Sequence, residues 1–310
     1  MTSLKIEKVN FPSNGINIVG ELHLPTQNTL SQNSAAIVIG HPTMGVKEQT
    51  ASTYARALTN AGFITLTFDA AYQGESGGLP RMLENPFQRS EDLRAAVSYL
   101  TTRSEVDAER IGALGICASG GYVSFAAQTD TRMKAVATVS AGDFGRITRE
   151  GLRPKGSITR DQLVEQLKAA NALRTLEAQD GEARMTVVMP QEKRDIPDGA
   201  PDLFKDAWDY YMTERGRHPR SGQSWMGRSV DLLANFDAFR FIDMISPRPL
   251  LMIAGEEADT LYFSEEAIQQ AREPKELFIV RGKRHVALYD DLSETIPKLL
   301  DFFTKNLAEI

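Results

Sequence analysis

Short apolar runs alternate with helix-like segments along most of the chain, and this alternation limits the fold more than any other feature. The clearest run, AAIVIG at 35–40, is continuously apolar, as expected of a strand buried on both faces. Strand-like runs also occupy 63–68, 110–116 and 134–139, and segments with helical spacing separate them. The pattern predicts the α/β class, with a mostly parallel, doubly wound sheet covered by helices on both faces.

The chain departs from this alternation at two places. Near its start, LKIEKVNF and INIVGELHLP alternate apolar and polar residues around a PSNG turn, which predicts an antiparallel hairpin at the sheet edge. Between about 142 and 246 the sequence becomes more polar and aromatic and contains helix-like segments. We therefore predict an α/β core formed by residues 1–141 and 247–310, and a helical cap formed by the insertion 142–246.

Composition argues against several kinds of partner. The net charge is −6 and no basic run stands out, which argues against binding to a nucleic-acid backbone. No apolar run approaches the roughly 20 residues of a membrane helix, and the first residues lack an apolar core of signal-peptide length. The single cysteine cannot form an intrachain disulfide, which fits a reducing compartment. We expect a cytoplasmic protein with no nucleic-acid or membrane partner.

The single cysteine lies in GICASGGY at 115–122, where a strand-like run leads into small residues and an apolar helix. A nucleophile elbow needs this context, because its strained central residue requires small neighbours two positions away on each side. Centring the turn on Cys117 places Gly115 and Ser119 at the flanks, whereas centring it on Ser119 places Cys117 and Gly121 there. The length of the strand favours Cys117, and a thiol at a helix N-terminus beside a histidine is expected to ionise readily.

The pattern HP…GVKEQ at 41–49, followed by GICASGG, resembles the dienelactone-hydrolase-like branch of the α/β-hydrolase superfamily, which carries cysteine at the elbow. The chain is also similar to poorly characterised bacterial hydrolases and to fungal polyketide-pathway hydrolases. The resemblance implies the chain order nucleophile, acid, histidine. His285 follows the strand-like KELFIV, where the family places its catalytic histidine. The acid should come from GEEADT at 255–260, where Asp259 is favoured and Glu257 remains open.

The same resemblance assigns roles to residues around these three. Backbone amides of Thr43 and Ala118 are expected to form the oxyanion hole, with Met44 as the alternative to Thr43, because Pro42 has no N–H. The His41 side chain is expected to support this turn rather than to exchange protons with the substrate. The candidates for lining the substrate pocket are His41, Tyr72, Gln73, Trp208, Tyr211 and Trp225.

Together these residues imply a hydrolase that cleaves an ester, lactone or thioester through Cys117, His285 and Asp259 and a covalent acyl-enzyme. The same intermediate could instead pass its acyl group to an alcohol or amine, which would make the protein an acyltransferase or cyclase. A non-catalytic binding protein on this fold is a third hypothesis. No metal or organic cofactor is implied. The expected partner is a small acyl substrate, and the sequence leaves open whether the chain forms a homodimer.

Overall fold

One large sheet dominates the computed structural model, and a two-stranded ribbon lies apart from it. The structure describes residues 4–25, 34–152 and 156–308. The strands in these ranges are β1 (Lys5–Ser13), β2 (Ile16–Leu24), β3 (Ala36–Gly40), β4 (Ile64–Phe68), β5 (Ile111–Ile116), β6 (Ala135–Val139), β7 (Met185–Val187), β8 (Ser224–Met226), β9 (Leu250–Gly255) and β10 (Lys275–Val280).

The large sheet has the order β1-β2-β4-β3-β5-β6-β9-β10. Strand β2 pairs antiparallel with both β1 and β4, and the remaining neighbours are parallel. Asn14 and Gly15 join β1 to β2 with φ of 47° and 78°, as a tight two-residue hairpin turn requires. The predicted α/β class, with a mostly parallel sheet, is therefore confirmed.

Helices cover both faces of this sheet. Gly112 and Gly115 lie three residues apart on β5 and so point to opposite faces. A Cβ on Gly112 would meet Phe303, and one on Gly115 would meet Ser119, so the helices carrying those residues lie on opposite sides. The helices of the described residues are α1 (Thr50–Asn60), α2 (Pro86–Thr101), α3 (Ala118–Ala127), α4 (Phe144–Glu150), α5 (Arg160–Asp180), α6 (Asp202–Met212), α7 (Ser229–Ala234), α8 (Leu261–Gln270) and α9 (Thr295–Asn306).

The inserted region contains helices α4 to α7 and the β7–β8 ribbon. Thr159 and Gln162 form a capping box that starts α5, and Gly181 ends that helix in the left-handed conformation. Helix α6 buries one face against the rest of the molecule, whereas α5 is largely exposed. The final part of the region adds Phe236 and Ile245 to the core shared with the sheet. Division of the chain into core and cap at residues 142 and 246 stays a prediction.

A buried lysine fixes the loops that follow β3 and β4. Lys47 is fully buried, and its ammonium lies 2.9 Å from Asp69, 2.8 Å from Glu48 and 2.7 Å from Glu75. Its backbone amide also donates to Asp69. Carboxylates surrounding the ammonium raise the pKa of Lys47 despite its burial. The cluster ties the loop after β3 to the loop after β4.

The described residues contain neither a membrane-spanning helix nor a metal-binding cluster. None of their helices is long and apolar enough to cross a membrane. In the same ranges, no group of three or more His, Cys, Asp or Glu side chains is placed to hold a metal ion.

Candidate active site

Four loops meet at one edge of the sheet, because the parallel strands β3, β5, β9 and β10 all end there. The loop after β3 contains Thr43, and the turn after β5 contains Cys117. The loops after β9 and β10 contain Asp259 and His285. The topology therefore brings the predicted site residues to the same edge.

Cys117 occupies a strained turn between β5 and α3. Its φ of 57° and ψ of −120° lie where residues other than glycine are rarely found. Its amide donates to the Val139 carbonyl at 3.0 Å, and its carbonyl accepts from the amides of Gly120 and Gly142 at 2.9 and 3.1 Å. These backbone hydrogen bonds hold the strained residue in place. Only 3% of the cysteine is exposed to solvent.

Ser119 does not occupy the central position of the elbow. It is the second residue of α3, and a Cβ on Gly115 would come within 2.0 Å of its carbonyl oxygen, so β5 needs glycine there. The Ser119 hydroxyl donates to the His41 carbonyl at 2.6 Å. The structure therefore centres the elbow on Cys117 and uses Ser119 to fix the preceding loop.

The expected oxyanion loop adjoins the thiol. Thr43 and Met44 line the same cavity as Cys117. Ala118 is the first residue of α3, so its amide has no acceptor within the helix, and it lies close enough to the Cys117 sulfur to lower the pKa of the thiol. The Met44 backbone has a φ of 59°, and its carbonyl accepts from the amide of Gly222 in the inserted region. Assignment of Thr43 and Ala118 as oxyanion donors stays a prediction.

The His41 side chain holds the expected oxyanion loop, residues 41–45, in place. Its Nδ1 donates to the Pro42 carbonyl at 2.7 Å, and its Nε2 accepts from the amide of Ala70 at 3.1 Å. Burial and the nearby Arg89 guanidinium hold the pKa of His41 well below its usual value. The imidazole is therefore neutral, and it does not line the cavity.

Arg89 links this loop to a buried polar network. Its Nη2 donates to the His41 carbonyl at 2.7 Å, and its Nε lies 3.6 Å from the Glu84 carboxylate. Glu84 also accepts from Tyr122 and Gln73, each at 2.8 Å. Gln73 is thus a buried member of this network and does not reach the cavity.

His285 lies at the start of a 3-10 turn and is buried. Its Nδ1 lies 2.6 Å from the Thr260 hydroxyl, and its Nε2 lies 3.3 Å from the Tyr289 hydroxyl. The Ser140 hydroxyl donates to its backbone carbonyl at 2.9 Å. For Nε2 to act as a base, Nδ1 must carry the proton and donate it to Thr260.

The predicted pairing of Asp259 with His285 is not formed. The Asp259 carboxylate accepts from the amide of Leu203 in the first turn of α6 at 2.8 Å, where a negative charge stabilises the helix terminus. Consecutive residues of this tight turn point in different directions, so Thr260 rather than Asp259 meets the imidazole. The alternative acid, Glu257, is exposed and lies beside Lys283 and Arg284 in a polar groove.

Tyr289 lies beside both the thiol and the imidazole. Its hydroxyl is 3.3 Å from His285 Nε2 and close enough to the Cys117 sulfur to lower the pKa of the thiol. The Tyr289 side chain is buried, and its ring packs edge-on against Tyr210 at 5.1 Å. The Thr50 hydroxyl donates to the Tyr289 carbonyl at 2.9 Å, which fixes the turn. The Tyr289 hydroxyl is therefore a neighbour of both the thiol and the histidine.

Burial keeps the reacting groups uncharged. It raises the pKa of Cys117 to about 11, although the neighbouring Tyr289 hydroxyl and Ala118 amide oppose the shift. Burial lowers the pKa of His285 to about 3. At neutral pH the site thus contains a thiol and a neutral imidazole, not the readily ionised thiol expected from its position at a helix N-terminus.

An apolar cavity of about 260 Å³ opens from Cys117 toward the inserted region. Leu203, Phe204 and Ala207 of α6 lie along one wall. Two of the predicted pocket residues, Tyr211 and Trp225, line the cavity. The other lining residues are Thr43, Met44, Phe144, Ile147, Leu152, Val188, Met189, Pro201 and Tyr289.

Two other predicted pocket residues lie elsewhere. Trp208 donates from Nε1 to the Pro190 carbonyl at 2.9 Å, and it does not line the cavity. Tyr72 has a φ of 71°, packs beside Gly78 and also lies outside the cavity lining. Both side chains therefore stabilise loops rather than contact a ligand in this cavity.

The sequence reasoning missed Tyr289 and Thr260. Tyr289 follows His285 by four residues, a spacing that can bring two side chains together on a helical turn. Thr260 directly follows the predicted acid, Asp259, so a shift of one residue in that loop would have found it. Both signals are weak, because they depend on the backbone course of loops.

Comparison with known proteins identifies relatives across the whole chain. The dienelactone hydrolase family matches residues 22–142, which include the elbow. The uncharacterised protein PA2218 of Pseudomonas aeruginosa is 40% identical over 313 residues, covering 98% of this chain and 82% of its own. Its crystal structure has a TM-score of 0.92 at 38% identity and covers 99% of this chain and 95% of that one.

Two further relatives also match most of the chain. The uncharacterised protein YcjY of Escherichia coli (strain K12) is 36% identical over 311 residues, covering 99% of this chain and all of its own. The polyketide transferase GrgF of Penicillium sp. is 25% identical over 282 residues, 90% of each chain. The crystal structure of GrgF, at 22% identity and a TM-score of 0.82, covers 98% of this chain and 100% of that one and shares the fold.

The fold and these similarities define an α/β hydrolase. The chain belongs to the dienelactone hydrolase family. It is an enzyme whose class of activity is hydrolysis or the related acyl transfer.

Proposed function

We propose that this enzyme cleaves esters or thioesters of apolar carboxylic acids through an acyl-enzyme on Cys117. The observation that carries the proposal is the position of the thiol, which lies on a strained strand-to-helix turn at the end of an apolar cavity. Ester, lactone and thioester carbonyls are the electrophiles that a thiol in this position attacks most readily.

The first step forms a bond between the Cys117 sulfur and the carbonyl carbon. Tyr289 passes its hydroxyl proton to His285 Nε2 and takes the proton of the thiol, so the net transfer is from sulfur to imidazole. The electron pair of the carbonyl moves to its oxygen, which the amides of Thr43 and Ala118 hold. When this intermediate collapses, the carbonyl re-forms, the bond to the leaving group breaks, and His285 gives its proton to the departing alcohol or thiol. A water molecule then attacks the acyl-enzyme and passes its proton by way of His285 to the departing Cys117 sulfur, which releases the free acid.

The charge state of the site explains why proton transfer should accompany attack. The pKa of Cys117 is about 11 and that of His285 about 3, so the thiol does not ionise before a substrate binds. Thr260 accepts from Nδ1 and fixes the imidazole, but it cannot neutralise an imidazolium as a carboxylate would. Substrates with good leaving groups, such as thioesters and aryl esters, suit this weakly basic histidine.

Acyl transfer is the second candidate, and the enclosed apolar surroundings of the thiol favour it. Cys117 is 3% exposed and faces a cavity lined mainly by apolar side chains, so an apolar alcohol or amine could exclude water from the acyl-enzyme. The name of GrgF, a polyketide transferase, agrees with this reading. Product analysis in the presence of competing alcohols and amines separates the two: if only the free acid forms, the transfer reading fails.

Turnover of aryl esters and acyl thioesters of increasing chain length tests the main proposal. Each methylene that enters the cavity contributes about 0.8 kcal/mol, so kcat/KM should rise roughly fourfold per methylene until the cavity is filled. Cys117→Ala and His285→Ala should abolish this activity. Turnover that persists in both variants would overturn the proposal.

A further inference from the structure

Two buried hydroxyl groups near Cys117 have no hydrogen-bond partner among the residues that the structure describes. They belong to Thr43 and Tyr211, which are 7% and 5% exposed and both line the apolar cavity. The Tyr289 hydroxyl lies near that of Tyr211, but the two do not meet the distance and angle of a hydrogen bond. An unpaired buried hydroxyl costs about 1–3 kcal/mol, so an arrangement with two of them calls for a ligand.

The two hydroxyls belong to the same end of the cavity. Tyr211 approaches the oxyanion loop, since a Cβ on Gly45 would lie 3.5 Å from its hydroxyl oxygen. Thr43 is two residues away in that loop, and the Gly45 amide donates back to the Pro42 carbonyl across it. Most of the other lining residues have apolar side chains, such as that of Phe144, which cannot form such hydrogen bonds.

We propose that Thr43 Oγ1 and Tyr211 Oη bind an oxygen substituent of the acyl group, close to its reacting carbonyl. The preferred substrate is then an acyl ester or thioester with a hydroxyl or oxo group near the carboxyl end and an apolar remainder. This inference rests on the proposed function, because it assumes that Cys117 is acylated. The amides of Thr43 and Ala118 remain assigned to the reacting carbonyl oxygen, so the two hydroxyls are available for a second oxygen.

A water molecule held by the two hydroxyls is the alternative occupant. It would satisfy both groups in the same way for every substrate. If water is the occupant, removing a hydroxyl should affect substituted and unsubstituted acyl groups equally. If a substrate oxygen is the occupant, only the substituted acyl groups should be affected.

The test compares the butanoyl, 3-hydroxybutanoyl and 3-oxobutanoyl thioesters of N-acetylcysteamine. The readouts are kcat/KM and the mass of the acyl group on Cys117. In Tyr211→Phe and in Thr43→Val, the ratio of kcat/KM for a substituted over an unsubstituted substrate should fall roughly tenfold from the wild-type ratio. The intrinsic difference in reactivity between the thioesters is the same for every protein, so comparing the ratio of a variant with that of the wild type cancels it.

Tyr210→Phe is the matched control, because Tyr210 precedes Tyr211 on α6 but does not line the cavity. Its substrate ratio should equal that of the wild type. If Cys117 is acylated but the ratios of Tyr211→Phe and Thr43→Val match the wild type, the inference is wrong and the proposed function stands. If no thioester acylates Cys117 in the wild type, the proposed function fails and this inference fails with it.

Discussion

The backbone at Cys117 combines strain with burial. A φ of 57° exposes the thiol to the cavity, while the surrounding protein excludes water from it. The resulting pKa of about 11 means that roughly one thiol in 10,000 is ionised at pH 7. We therefore expect the Cys117 thiol to react slowly with alkylating agents at neutral pH when no substrate is bound.

The pH dependence of alkylation tests this charge state. The rate of iodoacetamide labelling of Cys117 should rise about tenfold per pH unit and show no plateau below about pH 10, since thiolate is the reactive form. Because the protein has one cysteine, intact mass reports this thiol alone. A plateau near pH 7 would show that the thiol is already ionised and would contradict the neutral resting site.

Tyr289→Phe tests the proton path between sulfur and histidine. Without the hydroxyl, the thiol loses its link to His285 Nε2, and the rate of acylation by an aryl ester should fall roughly 100-fold. Tyr210→Phe removes a neighbouring hydroxyl outside this path and should have little effect. Equal rates in the two variants would mean that the thiol transfers its proton without Tyr289.

At the scale of elements, Asp259 joins the loop after β9 to the first turn of α6. Asp259→Asn keeps an oxygen to accept from the Leu203 amide, so kcat should stay within about threefold of the wild type. Thr260→Val removes the partner of His285 Nδ1, and kcat should fall roughly tenfold. Steady-state kinetics on one aryl ester measures both. A loss of about 10,000-fold in Asp259→Asn would identify Asp259 as the catalytic acid after all.

The elements also show what a sequence can and cannot predict. The elbow follows from local patterns, because an apolar strand, small flanking residues and a following helix all lie within 110–127. The partner of His285 does not follow from such patterns, because the backbone course of the loop after β9 decides whether Asp259 or Thr260 faces the imidazole. Tyr289 was missed for a similar reason, since only the course of the turn after His285 brings its hydroxyl to within 3.3 Å of His285 Nε2.

For the whole molecule, the buried Lys47 cluster couples the loop after β3, which contains the predicted oxyanion donor Thr43, to the loop after β4. Lys47→Met would leave the buried carboxylate of Asp69 without its cation, which should lower the free energy of unfolding by about 3–5 kcal/mol. Urea denaturation measures this change. Lys168→Met, which removes an exposed pair with Glu165 on α5, is the control and should leave stability nearly unchanged. Equal stability of the two variants would contradict a structural role for Lys47.

Rapid-quench intact-protein mass spectrometry tests most directly whether Cys117 carries a covalent acyl group during turnover. After mixing with an aryl hexanoate, the protein should gain the mass of one hexanoyl group before steady-state product release, and peptide mapping should place that group on Cys117. Cys117→Ala should gain no mass and release no aryl alcohol above background. Turnover without an acylated Cys117, or with the acyl group on another residue, would contradict an acyl-enzyme on Cys117.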